Sequence, residues 1–370
     1  MRIAIDITFL KYVYNEEESY ALFFLKNLLQ QFPSHEYIFL SEENLELPEY
    51  IKAAGRLFLI KPGNSSAIGH LLWYNTKVPA VLKKEQVQLF FALNGFCAAT
   101  KVPQILLVES VQALAEDKVL KKDAFHNADD LRKNAGKATH IITVSSFCKQ
   151  QLADKLQIAT EKITVVPQLP TDAFVPVEWT TKENMKVQYA GGCEYFLFTG
   201  TLYSNRQIGK LLRAFSVFKK WQHSSMKLLL MGDIPDVHEE ELDNLDNYKY
   251  KDDVITPELL YPETFSKLVA SAYAVIRPSK YEDAALELLE AMACEVPVLT
   301  SDIPVFKEYG EEAVLYAEAQ DFQQLGDNMI RIYKDENFRS QLIAKGSQRL
   351  KHLRRQAFEP LVSQIISHSA

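Results

Sequence analysis

Short apolar runs alternate with amphipathic stretches of helical period along the whole of this chain, and they do so in two successive series. Parallel strands need a crossover between them, usually a helix, and strands covered on both faces read as near-continuous apolar runs. The pattern therefore predicts an α/β chain built on parallel sheets. In the first series, strands are expected at Arg2–Ile7, Tyr37–Leu40, Leu57–Ile60, Leu89–Ala92, Gln104–Val108, His140–Val144 and Ile163–Val166. Helices fall between them over Glu18–Gln31, Asp130–Lys137 and Ser146–Leu156, the last opened by Ser145 and Ser146, a residue type that caps helix starts. Pro167 to Pro176 is irregular and proline-bearing, and reads as a linker. The second series places strands at Tyr195–Gly200, Lys227–Met231, Ala274–Ile276 and Pro297–Thr300, with helices around Ile208–Lys220, Tyr261–Ala272 and Ala284–Met292. A helical, largely amphipathic stretch over Glu336–Ser367 follows.

At 370 residues the chain is long for one hydrophobic core and fits two domains, placed at 1–170 and 171–345. Its net charge of -7 supplies no basic field to gather nucleic acid. A local basic cluster, Arg349 to Arg355, reads as a solvated helix face, with an anionic membrane surface as the minor alternative. Cys97, Cys148, Cys193 and Cys294 lie scattered in or beside apolar runs, as reduced, buried thiols of a cytoplasmic protein would. The histidines show no metal-ligand spacing, so no metal is expected. Met1 to Asp6 enters a strand directly, and no leader peptide or membrane span is expected.

The segment Tyr281 to Asp302 carries the chemistry. Glu282 and Glu290 flank seven residues, and Glu290-Ala291-Met292-Ala293-Cys294 runs on to an apolar strand after Pro297. This resembles the donor-binding segment of retaining, nucleotide-sugar-dependent glycosyltransferases of family 4, where it reads Glu-Gly-Phe-Gly-Leu-Pro and then Leu-Glu-Ala-Met-Ala-Cys-Gly-x-Pro-Val. The likeness extends over most of the chain, through Ile141 to Phe147, Glu161 to Pro167, Phe196 to Leu202, Leu211 to Phe215, Met231-Gly232-Asp233 and Arg277 to Glu282. It implies the GT-B architecture, two Rossmann-like doubly wound domains facing a cleft, with a C-terminal helix at 346–370 crossing back to the first domain.

Such chemistry must hold a pyrophosphate and neutralise it as it leaves, using helix N-termini, glycines and cations. The resemblance assigns Glu282 to the donor sugar as a catalytic carboxylate and Glu290 to the ribose hydroxyls, the alternative for both being a pair of solvated helix acids. Gly200, ending the first strand of the second series, joins the donor-binding set. The family's basic pair after that strand is Arg206-Gln207 here. Arg206 reads either as a fork onto phosphate oxygens or as a solvated loop arginine, and Lys210, one turn on, is a candidate substitute. The glycine-rich loop of the first domain becomes Glu16-Glu17-Glu18-Ser19-Tyr20, which keeps the tyrosine as an acceptor-side cleft residue but sets acids where a phosphate would approach. Asp283-Ala284-Ala285 replaces Gly-Phe-Gly, and Asp283 is expected to cap the following helix. Where the family has His-Asp, Glu109-Ser110 follows an apolar strand, so Glu109 stands either as a carboxylate base or as a strand-end polar residue.

The resemblance implies transfer of a sugar from a nucleotide-sugar co-substrate to a glycan or lipid-linked acceptor with retention, in polysaccharide biosynthesis, without a further cofactor. The departures, all at phosphate- or sugar-facing positions, equally fit a catalytically inactive paralogue that serves as interaction or scaffold partner of an active glycosyltransferase.

Overall fold

The computed structural model describes residues 1–12, 19–61, 69, 72–116, 127–200, 207–232, 245–258, 260–355 and 358–369. The chain divides into two compact units, Met1–Gln168 with Ala357–Ala370, and Leu169–Gln356. The division between Gln168 and Leu169 falls inside the proline-bearing stretch.

The first unit holds a seven-stranded sheet. Its strands are β1 (Arg2–Asp6), β2 (Glu36–Ser41), β3 (Gly55–Leu59), β4 (Leu89–Ala92), β5 (Gln104–Val108), β6 (His140–Thr143) and β7 (Ile163–Val165), in the order β3-β2-β1-β4-β5-β6-β7. All pairs are parallel, with Ile3 opposite Tyr37 on one side of β1 and Leu89 on the other. Helix α1 (Tyr20–Gln31) lays Phe24, Leu25 and Leu28 into the core, where the Phe24 ring stands 5.8 Å from that of Phe91. Ser19 caps it by accepting from the Leu22 N–H. Helix α2 (Ser146–Leu156) starts as its sequence predicts, with the Ser145 hydroxyl accepting from the Cys148 N–H at 3.1 Å. The terminal helix, Phe358–Ser369, belongs to this unit: Phe358 lies 5.0 Å from Phe24, and Val362, Ile365 and Ile366 are buried.

The second unit holds a six-stranded sheet of β8 (Tyr195–Thr199), β9 (Lys227–Met231), β10 (Val254–Ile255), β11 (Ala274–Arg277), β12 (Val298–Ser301) and β13 (Leu315–Ala317), in the order β10-β9-β8-β11-β12-β13. All its pairs are parallel too. Helices α3 (Ile208–Gln222) and α5 (Phe322–Lys334) bury Phe215, Phe218, Leu325 and Met329 against Phe196 and Leu230. They lie close because Gly326 brings no side chain; a Cβ there would stand 2.7 Å from Val217. Helix α4 (Leu286–Ala293) carries Glu287 and Glu290, with Glu282 in the loop before it, and is backed by α6 (Glu336–Arg355), where Gly346 approaches Met292 and the Arg349 guanidinium donates to the Tyr309 and Glu308 carbonyls. The helix that contains the site is thereby fixed from behind.

The short strands β10 and β13 have no counterpart in the sequence expectation, since neither is long enough to show a periodic signal. The expected closing helix is two helices, Glu336–Arg355 and Phe358–Ser369. Cys97, Cys148 and Cys294 are buried thiols, whereas Cys193 is half-buried, against expectation. Burial pushes the Cys97 and Cys294 thiols up to about 12, so both stay protonated and inert at neutral pH. Among the described residues no helix is long and apolar enough to cross a membrane, and no cluster of three or more His, Cys, Asp or Glu could hold a metal ion.

Candidate functional site

Open parallel sheets bind ligands beyond the carboxyl ends of their strands, at the point where strand order reverses. In the second unit that point lies between β8 and β11. β8 ends on Thr199 and continues into Gly200 at φ +104, a backbone conformation that residues with a Cβ avoid. A Cβ at Gly200 would also run into the guanidinium of Arg277, the last residue of β11. Arg277 is 0% exposed. Its Nη1 donates to the Thr199 carbonyl, while Nη2 lies 2.9 Å from Glu282 Oε1 and 2.8 Å from Glu287 Oε1. The Phe198 ring sits 5.5 Å below the guanidinium carbon, and the Thr300 hydroxyl donates to the Arg277 carbonyl at 2.9 Å. A rigid planar fork is the side chain best suited to tie two carboxylates and a carbonyl at once. Strand ends β8, β11 and β12 and the first turn of α4 are thus joined through one arginine.

The same place collects unpaired polar atoms. Thr199 Oγ1, Gln207 Nε2, Arg277 Nε and Ser279 Oγ are buried without a hydrogen-bond partner among the described residues. Folded proteins leave few such atoms, and each costs about 1–3 kcal/mol. Thr199, Arg277 and Ser279 stand at or just past the ends of β8 and β11 and Gln207 is the N-cap of α3, a grouping whose bonding capacity suits a hydroxyl-rich or phosphorylated ligand. Helix α4 begins beside them with Ala285 as its N-cap, whose methyl offers no acceptor. Its positive end therefore points to the same region, as an anion site requires.

The predicted donor residues come together only in part. Glu282 joins Gly200 through Arg277. Glu290 is 5% exposed on the buried side of α4, and its charge helps raise the Cys294 thiol. Lys210 donates to the Gln207 and Gln320 side-chain oxygens and lines a small pocket with Pro278, Ser301 and Glu318, so it stands at the strand ends. A broader concavity of about 640 Å³ opens beside it, lined by Asp302, Lys307, Tyr316 and Glu318 among others, but not by the motif glutamates. Arg206 and Glu16–Glu18 lie outside the described residues. Asp283 does not stand at the N-cap: Ala285 occupies that position, and the Asp283 carboxylate accepts from the Tyr281 hydroxyl at 2.8 Å. The loop turns two residues later than expected because Ala284 and Ala285 remain extended or irregular rather than helical.

In the first unit, Glu109 is exposed just beyond β5. Tyr20, expected to face a cleft, is instead 0% exposed, and its hydroxyl donates to the Val166 carbonyl at 2.6 Å. It closes the end of β7 rather than facing a ligand. The strand reversal of this sheet lies between β1 and β4, and here a hydrogen-bonded cluster went unnoticed in the sequence. Asp6, ending β1, is 0% exposed and accepts from the Thr8 hydroxyl at 2.6 Å and the Tyr74 hydroxyl at 2.5 Å. Asn94, just past β4, donates to both Thr8 and Tyr74. Burial raises the Asp6 carboxyl from 3.8 to about 6, partly offset by those hydrogen bonds.

Arg277, present in the sequence only as part of the Arg277 to Glu282 likeness, and Glu287 were given no site role there. Their signals are an arginine ending an apolar strand before Pro278, and a glutamate where the resembled segment has proline.

Two doubly wound parallel-sheet units of this order define the GT-B class of fold. The chain superposes on sucrose-phosphate synthase from Thermosynechococcus elongatus with a TM-score of 0.73 at 17% identity, covering 99% of this chain and 98% of that one. It superposes on HepE of Anabaena, solved with UDP and glucose, with a TM-score of 0.71 at 13% identity, covering 99% of each. Residues 181–349, all within the second unit, match the model of the glycosyl transferases group 1 family. Over 194 residues it is 27% identical to the O-antigen chain mannosyltransferase RfbU of Salmonella typhimurium, covering 52% of this chain and 50% of that protein. The chain spans only about half the length of the curated relatives it matches.

Proposed function

We propose that this protein transfers a hexose from a nucleotide-sugar donor to a glycan or lipid-linked acceptor, with retention, in the assembly of a cell-surface polysaccharide. The observation that carries this is the set of unpaired buried polar atoms at the ends of β8 and β11, beside the start of α4. The α4 N-terminus would receive the diphosphate, with Lys210 as a cation at the strand ends and Arg206 as the one the family resemblance assigns. Glu282 would accept hydroxyls of the sugar, and Glu290 those of the ribose. Charge that develops on the leaving diphosphate is then met by fixed dipoles and cations, which stabilise the transition state more than the ground state. In the first unit, Glu109 is exposed at a strand end, where it would orient the acceptor. The mannosyltransferase relative favours mannose as the sugar, and the UDP complexes of the fold relative favour a nucleoside diphosphate as the leaving group. A cytoplasmic protein with peripheral membrane attachment fits that role.

The test is calorimetric titration of the full chain with UDP, GDP and their common sugar conjugates, followed by an acceptor screen. Micromolar binding that weakens in Lys210→Ala and Arg206→Ala supports the reading. One observation favours a second reading, an inactive paralogue acting as partner of another transferase: the cation nearest Glu282 is already engaged by two carboxylates. A folded protein that binds none of these nucleotides would favour that alternative and turn the search to protein partners.

A further inference from the structure

Beyond the carboxyl ends of β12 and β13 lies the concavity of about 640 Å³, and the donor has no need of it. Glu282 and Glu290 do not line it, so a sugar and ribose held by those glutamates lie elsewhere. Its volume falls within the roughly 300–1,000 Å³ of small-ligand sites. One wall is the start of α5, and a helix start invites an anion. This one is already closed: the Asp321 carboxylate accepts from the Gln324 N–H at 2.9 Å and would repel a phosphate. Lys307, in the same lining, is engaged by Asp302 at 3.1 Å.

What the lining offers instead is neutral bonding capacity and a fixed ring. The Gln324 Oε1 accepts from the Glu318 N–H at 2.5 Å, which leaves the two amide hydrogens of Gln324 and the exposed Glu318 carboxylate without a partner among the described residues. Tyr316 is held in place from its far end: its hydroxyl donates to the Phe306 carbonyl at 3.2 Å. Gly310 makes room for that hydroxyl, since a Cβ there would stand 2.7 Å from it. A pyranose suits such a place, because its C–H face packs on an aromatic ring while its hydroxyls both donate and accept.

Resting on the transfer reading above for the role of the ligand, we infer that this concavity is a subsite for uncharged sugar residues of the acceptor glycan, with the Tyr316 ring as its platform and Glu318 and Gln324 as its hydroxyl partners. It adjoins the donor end of the same sheet. Gln320, in its lining, accepts from Lys210, and Glu318 and Ala319 line both the concavity and the small pocket that contains Lys210. Both lie where open parallel sheets place their ligands, beyond the carboxyl ends of the strands.

The test titrates the full chain with α-linked mannotriose, maltotriose, galactotriose and chitotriose, read by saturation-transfer NMR, with inorganic phosphate as competitor and UDP and GDP as separate titrants. The wild type is expected to bind at least one of the four saccharides, and phosphate is expected not to displace it. Tyr316→Leu and Glu318→Ala should each weaken that saccharide by about five-fold or more, while UDP or GDP affinity in Tyr316→Leu changes less than about two-fold. Glu318→Ala removes an exposed side chain without a described partner, so its result stands even if the tyrosine variant does not fold. Nucleotide binding with no saccharide bound, a saccharide affinity untouched by both variants, or displacement by phosphate overturns the inference and leaves the donor reading standing. Saccharide binding that both variants weaken, in a protein that takes neither UDP nor GDP, supports the subsite and overturns the donor reading instead.

Discussion

The two sheets end their strands at the point of reversal in opposite ways. In the first unit, Asp6, Thr8, Tyr74 and Asn94 close on one another, and every group has a partner. In the second, Arg277 binds Glu282 and Glu287 while Thr199, Gln207 and Ser279 keep polar atoms unpaired. The first is a finished structural knot that stabilises the turn out of β1. The second retains unmet bonding capacity, which costs stability unless something else meets it. Related sheets therefore use the same topological position for two purposes, and burial alone does not tell them apart. The count of satisfied atoms does.

The largest effect expected from breaking this contrast is at Arg277. Arg277→Met removes the buried guanidinium that ties Glu282, Glu287 and the Thr199 carbonyl together, and should cost about 3–5 kcal/mol. Chemical denaturation of the full chain would measure it. Adding Glu282→Gln and Glu287→Gln to the same variant should recover most of the loss, because the side chains that lost the guanidinium are then uncharged. A single variant that loses under about 1 kcal/mol would show that the ion group does not hold the strand ends together.

Asp6 offers a smaller and pH-dependent effect. Its folded carboxyl titrates at about 6 against 3.8 as its ordinary value, because burial outweighs the Thr8 and Tyr74 hydrogen bonds and Glu42 adds repulsion. A raised folded value means that the stability it contributes is fully present below pH about 4 and is lost as pH rises through about 6. The loss amounts to about 3 kcal/mol when complete. Asp6→Asn, which does not titrate, should therefore gain on the wild type between pH 4 and 7. Parallel urea melts at the two pH values check this; a constant difference would mean that the carboxyl stays ionised in the folded state throughout.

Most of the fold was legible in the sequence. Leu89–Ala92 and Gln104–Val108 are apolar runs of strand length, and Ser145 before Ser146 marked a helix start that the structure keeps. Strands β10 and β13 were not legible because two or three residues carry no period. The site was less readable. Glu282 was singled out by the family resemblance, but Arg277 ends an apolar strand, and only three dimensions show it meeting a residue five positions on and another ten positions on. Asp283 misled because a capping residue type in sequence does not fix which residue the chain makes the N-cap. Gly200 entered the donor set through the family resemblance alone; its φ of +104 and its proximity to Arg277, both of which demand glycine, are visible only in the structure. Gly200→Ala should cost roughly 1–3 kcal/mol from backbone strain and the displaced guanidinium together. It should cost much less in an Arg277→Met background, and equal losses in both would leave the backbone conformation as the sole cause.

The smallest effect tests the boundary between the two kinds of strand end. Tyr20 keeps the position of a cleft tyrosine in the resembled motif, yet its ring is buried and its hydroxyl is spent on the Val166 carbonyl beyond β7. Removing that one hydroxyl by Tyr20→Phe should cost about 0.5–1.5 kcal/mol in denaturant, since the carbonyl is left buried while the ring still packs on Phe23 at 6.2 Å. If the residue is structural, nucleotide and nucleotide-sugar affinities stay where they were. A Tyr20→Phe protein of unchanged stability that binds donor or acceptor more weakly would return this tyrosine to the functional site, and would mean that the buried position is left when substrate binds.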